Sequence, residues 1–174
     1  MTKQKYSTKF IYKSDIKHSK NFELLIVKII EIVRKIYVLP EHIEIQFENM
    51  GGSIYGMTML DPRFPNRIRL NQDLQETEIV IPLTHELLHL NQIYTNRLQT
   101  RSGGRILWDN EFYKVDSLKL TYNDYLNLPW EYDVSIKQQK LLEFIKSNNK
   151  KISSEIKKEL HVTQNTSNSI SNLS

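Results

Sequence analysis

The chain has 174 residues, 39% hydrophobic and 25% charged, with a net charge of +4 and no cysteine. That is enough chain for one domain with a proper core. It excludes a disulfide framework, a cysteine nucleophile and any thiolate metal site, so a metal would have to be held by His, Asp and Glu.

The amino terminus is polar and lysine-rich, without the apolar region of a secretory signal. The longest apolar run, Leu24–Val33, is broken by Lys28 and Glu31 and is too short to span a bilayer. A soluble cytoplasmic protein with no membrane contact is the expectation.

In chain order, residues 1–19 read as a basic flexible arm, 20–146 as a single domain, and 147–174 as a polar extension with a disordered end. The arm carries Lys3, Lys5, Lys9, Lys13, Lys17 and Lys20 against Asp15 alone, and its only expected regular piece is a short strand at Lys9–Tyr12. Lysines in this pattern keep a small protein soluble, and they also offer a weak contact for nucleic-acid phosphates. Lys146, Lys150, Lys151, Lys157 and Lys158 form a second basic cluster.

From Asn21 to Val38 the apolar positions Phe22, Leu25, Ile26, Ile29, Ile30, Val33, Ile36 and Tyr37 follow helical spacing. Ser19 or Asn21 can cap this helix, and Pro40 lies beyond its end. His42–Glu48 alternates apolar and polar residues as a half-buried strand does. Met50-Gly51-Gly52 is a turn, Ser53–Leu60 a second strand, and Arg67–Asn71 a third after a proline-marked loop. The turns are short, so neighbouring strands are expected to pair.

A helix starting between Thr77 and Leu83 and running to Arg97 or Leu98 contains His85-Glu86-Leu87-Leu88-His89. Pro82 fits its first turn. The pattern is H-E-x-x-H. Residues four apart share one helix face, so both imidazoles can bind one Zn2+ ion, and the Glu86 carboxylate leans the same way as a general base. Leu83, Leu87, Leu88 and Leu90 around the pair imply a buried helix, in which two histidines and a glutamate need partners.

Downstream, Gly103-Gly104 breaks the chain, Arg105–Val115 reads as a hairpin or irregular excursion, and Asn123–Asn127 as a turn. Pro129 opens another helix, continued by Ile136, Leu141, Leu142, Phe144 and Ile145. Ile152–Leu160 adds a further one.

A catalytic zinc site needs a third protein ligand. His18, His42 and His161 lack an apolar setting that would hold them rigid. Of the acids Asp109, Glu111, Asp116, Asp124, Glu131 and Asp133, Glu131 is best placed. It sits at the start of a helix beside Trp130, and that helix can pack on the motif helix. Asp133 and Asp73 are candidates to orient the ligating histidines.

With these residues in view, the stretch from Ile68 to Val134 resembles the small gluzincin-type metallopeptidases, the minigluzincins, and in particular those of phages and prokaryotes. There H-E-x-x-H is followed by a W-x-G-x-x-Y-like segment and then P-W-E-x-(D/E)-A. The matching residues are His85, Glu86 and His89; Trp108, Asn110 and Tyr113; and Pro129, Trp130, Glu131 and Asp133. Asn110 stands in place of the glycine and Val134 in place of the alanine.

The resemblance implies a zinc metallopeptidase with ligands His85, His89 and Glu131, and with Glu86 as general base. It implies a peptide or protein substrate lying along an edge strand, for which Arg67–Asn71 is the candidate. Tyr113, Tyr122 and Tyr125 are candidate oxyanion donors, Tyr113 first. The larger gluzincins carry an acidic residue four after the ligand glutamate; here that position is Ser135.

The expected fold is α+β. A small antiparallel or mixed sheet of three to four strands packs on an N-terminal helix and the motif helix, and a C-terminal helix carries the third ligand. Two other readings share the motif. SprT-like proteases have a third histidine soon after the pair, and none follows His89 before His161. A non-catalytic metal-binding or nucleic-acid-associated protein using the basic arm would have no need of Glu86.

Overall fold

The computed structural model describes residues 6–52, 54–58, 60, 63–101, 105–115 and 119–148. The fold is α+β, with a four-stranded mixed sheet and a three-stranded antiparallel sheet. No helix among the described residues is long and apolar enough to cross a membrane.

The first sheet comprises β1 (Ser7–Tyr12), β2 (His42–Glu48), β3 (Gly56–Thr58) and β4 (Arg67–Asn71). β1 pairs parallel to β2, from Ser7 opposite His42 to Tyr12 opposite Phe47. Ser7–Tyr12 of the expected flexible arm is therefore an edge strand of the sheet, and Lys9 is ion-paired to Glu44 at 3.2 Å. Helix α1 (Lys20–Arg34) makes the crossover between these parallel strands. Ser19 caps it, accepting a hydrogen bond from the Phe22 amide at 3.1 Å. The helix stops at Arg34, several residues before Pro40, because the chain tightens there: the Lys35 amide donates to the Ile32 carbonyl at 3.1 Å and the Ile36 amide to the Val33 carbonyl at 3.0 Å, each spanning three residues.

The expectation that neighbouring strands pair fails at β2 and β3. β4 inserts between them, parallel to β2 and antiparallel to β3. The reason is burial. β4 carries Ile68 and Leu70, both wholly buried, and needs the sheet centre, whereas three-residue β3 offers only small groups inward and sits at the edge. Arg67–Asn71 is thus an interior strand, and β3 is the edge next to the motif helix.

One face of this sheet packs on α1 and on α2 (Val80–Tyr94) through Ile26, Ile30, Ile45, Phe47, Leu83 and Leu87. The other face is a charged ladder in which Glu44 pairs with Arg67 at 2.6 Å and Glu48 with Arg69. Pro82 lies in the first turn of α2, where its missing N–H leaves no gap in the ladder.

α2 ends earlier than expected. Leu98 belongs to β5 (Leu98–Arg101), which joins β6 (Arg105–Trp108) and β7 (Glu111–Lys114). The β6–β7 hairpin turns at Asp109 and Asn110, with φ of 46° and 72°. Two consecutive left-handed residues suit the twist of a hairpin, and asparagine adopts that region readily, so Asn110 serves where the resembling family has glycine.

The stretch expected as a turn is a short helix, α3 (Tyr122–Leu126), started by a reciprocal capping box between Thr121 and Asp124. Helix α4 follows over 129–148. It runs antiparallel to α2: Gln92, late in α2, bonds the Trp130 carbonyl, while Gln138 bonds the Ile81 carbonyl. Ile152–Leu160 and the rest of the C-terminal extension beyond residue 148 lie outside the described residues, as do Gly103, Gly104 and Asp116.

Candidate metal centre

Two apolar clusters meet at the motif. The first is the sheet–α1–α2 core, which includes Leu87 and Leu88 of the motif itself and Val134 of α4. The second is smaller: Leu98, Trp108 and Trp130, with Ile93, Ile106, Tyr113 and Leu128 against them. Trp108 lies 6.5 Å from Trp130 between ring centroids, and Tyr113 meets Trp130 edge-on at 5.8 Å. The tryptophan and tyrosine of the hairpin therefore grip the side chain beside Glu131. That is the physical content of their place in the pattern.

From α2, His85 and His89 bring their Nε2 atoms to 3.1 Å of each other. From α4, Glu131 Oε2 lies 3.4 Å from His85 Nε2 and 3.3 Å from His89 Nε2. Around a tetrahedral ion with bonds of about 2.0–2.1 Å, ligand atoms sit roughly 3.3 Å apart. The triangle has that size. Glu131 Oε2 is also buried without a hydrogen-bond partner, an arrangement disfavoured for a carboxylate unless something else meets it. The group His85, His89 and Glu131 can hold a metal ion.

The electrostatics agree. Burial pushes the Glu131 carboxyl up, but the two imidazoles beside it bring it down to about 2. Burial pushes His89 down, and the Glu131 carboxylate outweighs this, so its net shift is upward.

Glu86 lies outside the ligand group. It is 6% exposed, and burial raises its carboxyl pKa. Thr58 of β3 lies over it, with Oγ1 2.8 Å from Glu86 Oε2. Gly56 lies closer still: a Cβ there would stand 2.8 Å from Glu86 Cγ, so only glycine fits without movement. Glu86 and the three ligands line a cavity of about 620 Å³, together with Tyr55, Met57, Leu60, Tyr122, Tyr125 and Trp130 among others.

Of the candidate oxyanion donors, Tyr122 and Tyr125 line this cavity and Tyr113 does not. The Tyr113 hydroxyl donates to Glu111 at 3.1 Å, engaged on its own hairpin. Burial first, and then the nearby Glu131 carboxylate, push the Tyr125 hydroxyl up.

Among the described residues, the other candidate acids and histidines lie outside the ligand group. His18 is stacked among Tyr12, Phe22 and Phe47. His42 Nδ1 is 2.7 Å from Ser7 Oγ. Asp109 pairs with Arg97, and Asp124 caps α3. His161 lies outside the described residues. Asp73 makes local backbone contacts with Asn71 and Gln75. Ser135 bonds the Tyr132 carbonyl.

Sequence reasoning missed three contributors. Thr58 and Gly56 act from β3, which was expected as a longer strand over Ser53–Leu60, but no local signal places that strand over Glu86. Gln92, which bonds His89 Nδ1 at 2.9 Å, follows the motif by one further helical step and carries a residue type that no metal pattern flags. The chain matches no protein-family model, no curated protein and no solved structure.

Proposed function

We propose that this chain is a zinc-dependent peptidase that cleaves peptide bonds in a substrate laid along β3. The observation that carries the reading is the pairing of a closed set of three ligands with a fourth group, Glu86, that faces the same cavity but does not join them. Zinc is favoured because two imidazoles and one carboxylate at tetrahedral spacing suit it, and a three-ligand set leaves a position open. A structural site would close that position and would have no use for a buried acid beside it.

Bound by His85, His89 and Glu131, zinc would supply Lewis-acid polarisation and make a water acidic near neutral pH. The remaining steps belong to the chain. Glu86 takes the proton of the attacking water at a carboxylate oxygen as the water oxygen bonds the substrate carbonyl carbon. It then delivers that proton to the amine nitrogen as the C–N bond breaks. Burial favours the protonated carboxyl, which helps it hold the proton between the two steps. Tyr125, beside Glu131, is the donor for the oxyanion in place of Tyr113. β3, the edge strand lining the cavity, replaces Arg67–Asn71 as the strand a peptide would extend.

The test is metal content and cleavage of a peptide library by wild type, Glu86→Gln and Glu131→Ala. Wild type should hold about one zinc per chain. Glu86→Gln should keep the zinc and lose turnover, and Glu131→Ala should lose zinc affinity at least about tenfold. Turnover retained by Glu86→Gln removes the general base. No zinc uptake by wild type at neutral pH sinks the whole reading.

A further inference from the structure

We infer that Gln92 is a positioning residue that decides which nitrogen of His89 is free to bind a metal. The inference rests on the metal-site reading for its consequence, though not for its geometry. Gln92 is wholly buried. Its amide has three neighbours: Oε1 lies 2.9 Å from His89 Nδ1, and Nε2 lies 2.9 Å from the Trp130 carbonyl and 2.9 Å from Asp133 Oδ2.

The last two are acceptors. A carbonyl can only accept, and Asp133 is held as a carboxylate by Arg97 Nη1 at 3.1 Å and Lys137 Nζ at 2.8 Å. Only the NH2 end of the amide can satisfy both. Turning the amide over would set its oxygen against two acceptors in a buried place, where unpaired polar atoms are strongly disfavoured. The oxygen must therefore face His89 Nδ1. That nitrogen must then carry hydrogen, and the lone pair falls on Nε2, the atom facing Glu131 and His85.

The same amide also sets the ligand helices in register. It reaches the carbonyl of Trp130, the residue before Glu131, so one side chain of α2 holds both a histidine ligand and the backbone that carries the carboxylate. Asp133, which the sequence marked as a possible partner of a histidine, acts one step back. It fixes the orientation of Gln92 and does not touch the ring in its own right.

The experiment is imidazole 15N NMR on the full chain, first metal-free at a pH where the histidines are neutral, alongside zinc titrations of wild type and Gln92→Met. The expected result is a single Nδ1–H tautomer for His89 in wild type. In Gln92→Met that preference should vanish and zinc should bind roughly 10- to 100-fold more weakly. His18 and His42, which sit elsewhere in the fold, should keep their signals; a general loosening would move them too.

An Nε2–H tautomer at His89 in wild type would overturn the inference, and that result is readable even if Gln92→Met does not fold. So would a Gln92→Met protein with unchanged tautomer and unchanged zinc affinity. A wild type that never takes up zinc defeats the peptidase reading, while the metal-free tautomer still decides the role of Gln92.

Discussion

The hydroxyl of Thr58 stands 2.8 Å from a side-chain oxygen of Glu86 and 2.9 Å from its main-chain carbonyl oxygen, so one short strand is tied to the acid at two points. A hydrogen bond to a charged group is worth about 1.5–3 kcal/mol. Thr58→Val keeps the shape and removes the donor. It should leave zinc content unchanged and reduce kcat by about tenfold or more, read in single-turnover cleavage. Wild-type kcat in this variant would remove Thr58 from the orientation of Glu86.

Gly56→Ala tests the same contact by bulk. The added methyl would meet Glu86 Cγ at 2.8 Å and both Glu86 Oε1 and Leu70 Cδ2 at 3.2 Å. Either β3 lifts or the acid turns. Overpacking of this kind typically costs about 1–3 kcal/mol. We expect a lower denaturation midpoint and loss of turnover with zinc still bound, and equal turnover would show that Glu86 has room to move.

Removing metal should weaken the fold without abolishing it. The larger core draws on α1, the first sheet and α2, none of which depends on an ion for its burial. A chelator should lower the melting temperature, by an amount that grows with zinc concentration in the control, and leave one cooperative transition. A chain that unfolds outright on chelation would instead carry a structural metal.

Acid stability has a separate source. A hydrogen bond from Arg67 and then one from Lys9 outweigh burial and hold Glu44 below the usual carboxylate range. A depressed folded value gives stability that is present above the unfolded pKa, about 4.3, and is lost as pH falls through the folded value. Glu44→Gln should lower the urea midpoint at pH 7 by an amount equivalent to about 1 kcal/mol and show less further loss at pH 3 than wild type. Parallel curves for the two proteins would mean that the pair contributes nothing.

What could be read beforehand follows from what periodicity encodes. The helical spacing of Phe22, Ile26, Ile29, Ile30 and Val33 and the alternation of Ile43, Ile45 and Phe47 report burial directly: the strand is where it was expected, and the helix begins there although it ends at Arg34. The H-E-x-x-H pair and Glu131 were legible because ligand chemistry restricts residue type. Pairing order was not. Nothing local in Arg67–Asn71 says that it slips between β2 and β3, because the preference for the sheet centre depends on what the other strands can bury. β1 was underestimated for a related reason: its lysines suggest solvent, yet an edge strand with one face outward tolerates them. Tyr113, named first among the three candidate tyrosines, packs against Trp130 and does not line the cavity, which nothing in its local sequence reveals.

The two apolar clusters share the ligands between them: His85 and His89 ride on the helix of the first, whereas Glu131 is seated by the Trp108–Trp130 packing of the second. An ion bound by all three would therefore add one more tie between two clusters that α2 and α4 already connect. Amide hydrogens in β6 and β7, strands that supply no ligand, should then exchange with solvent more slowly once the ion is in place. The hairpin would sense occupancy at a distance, through the ring it holds.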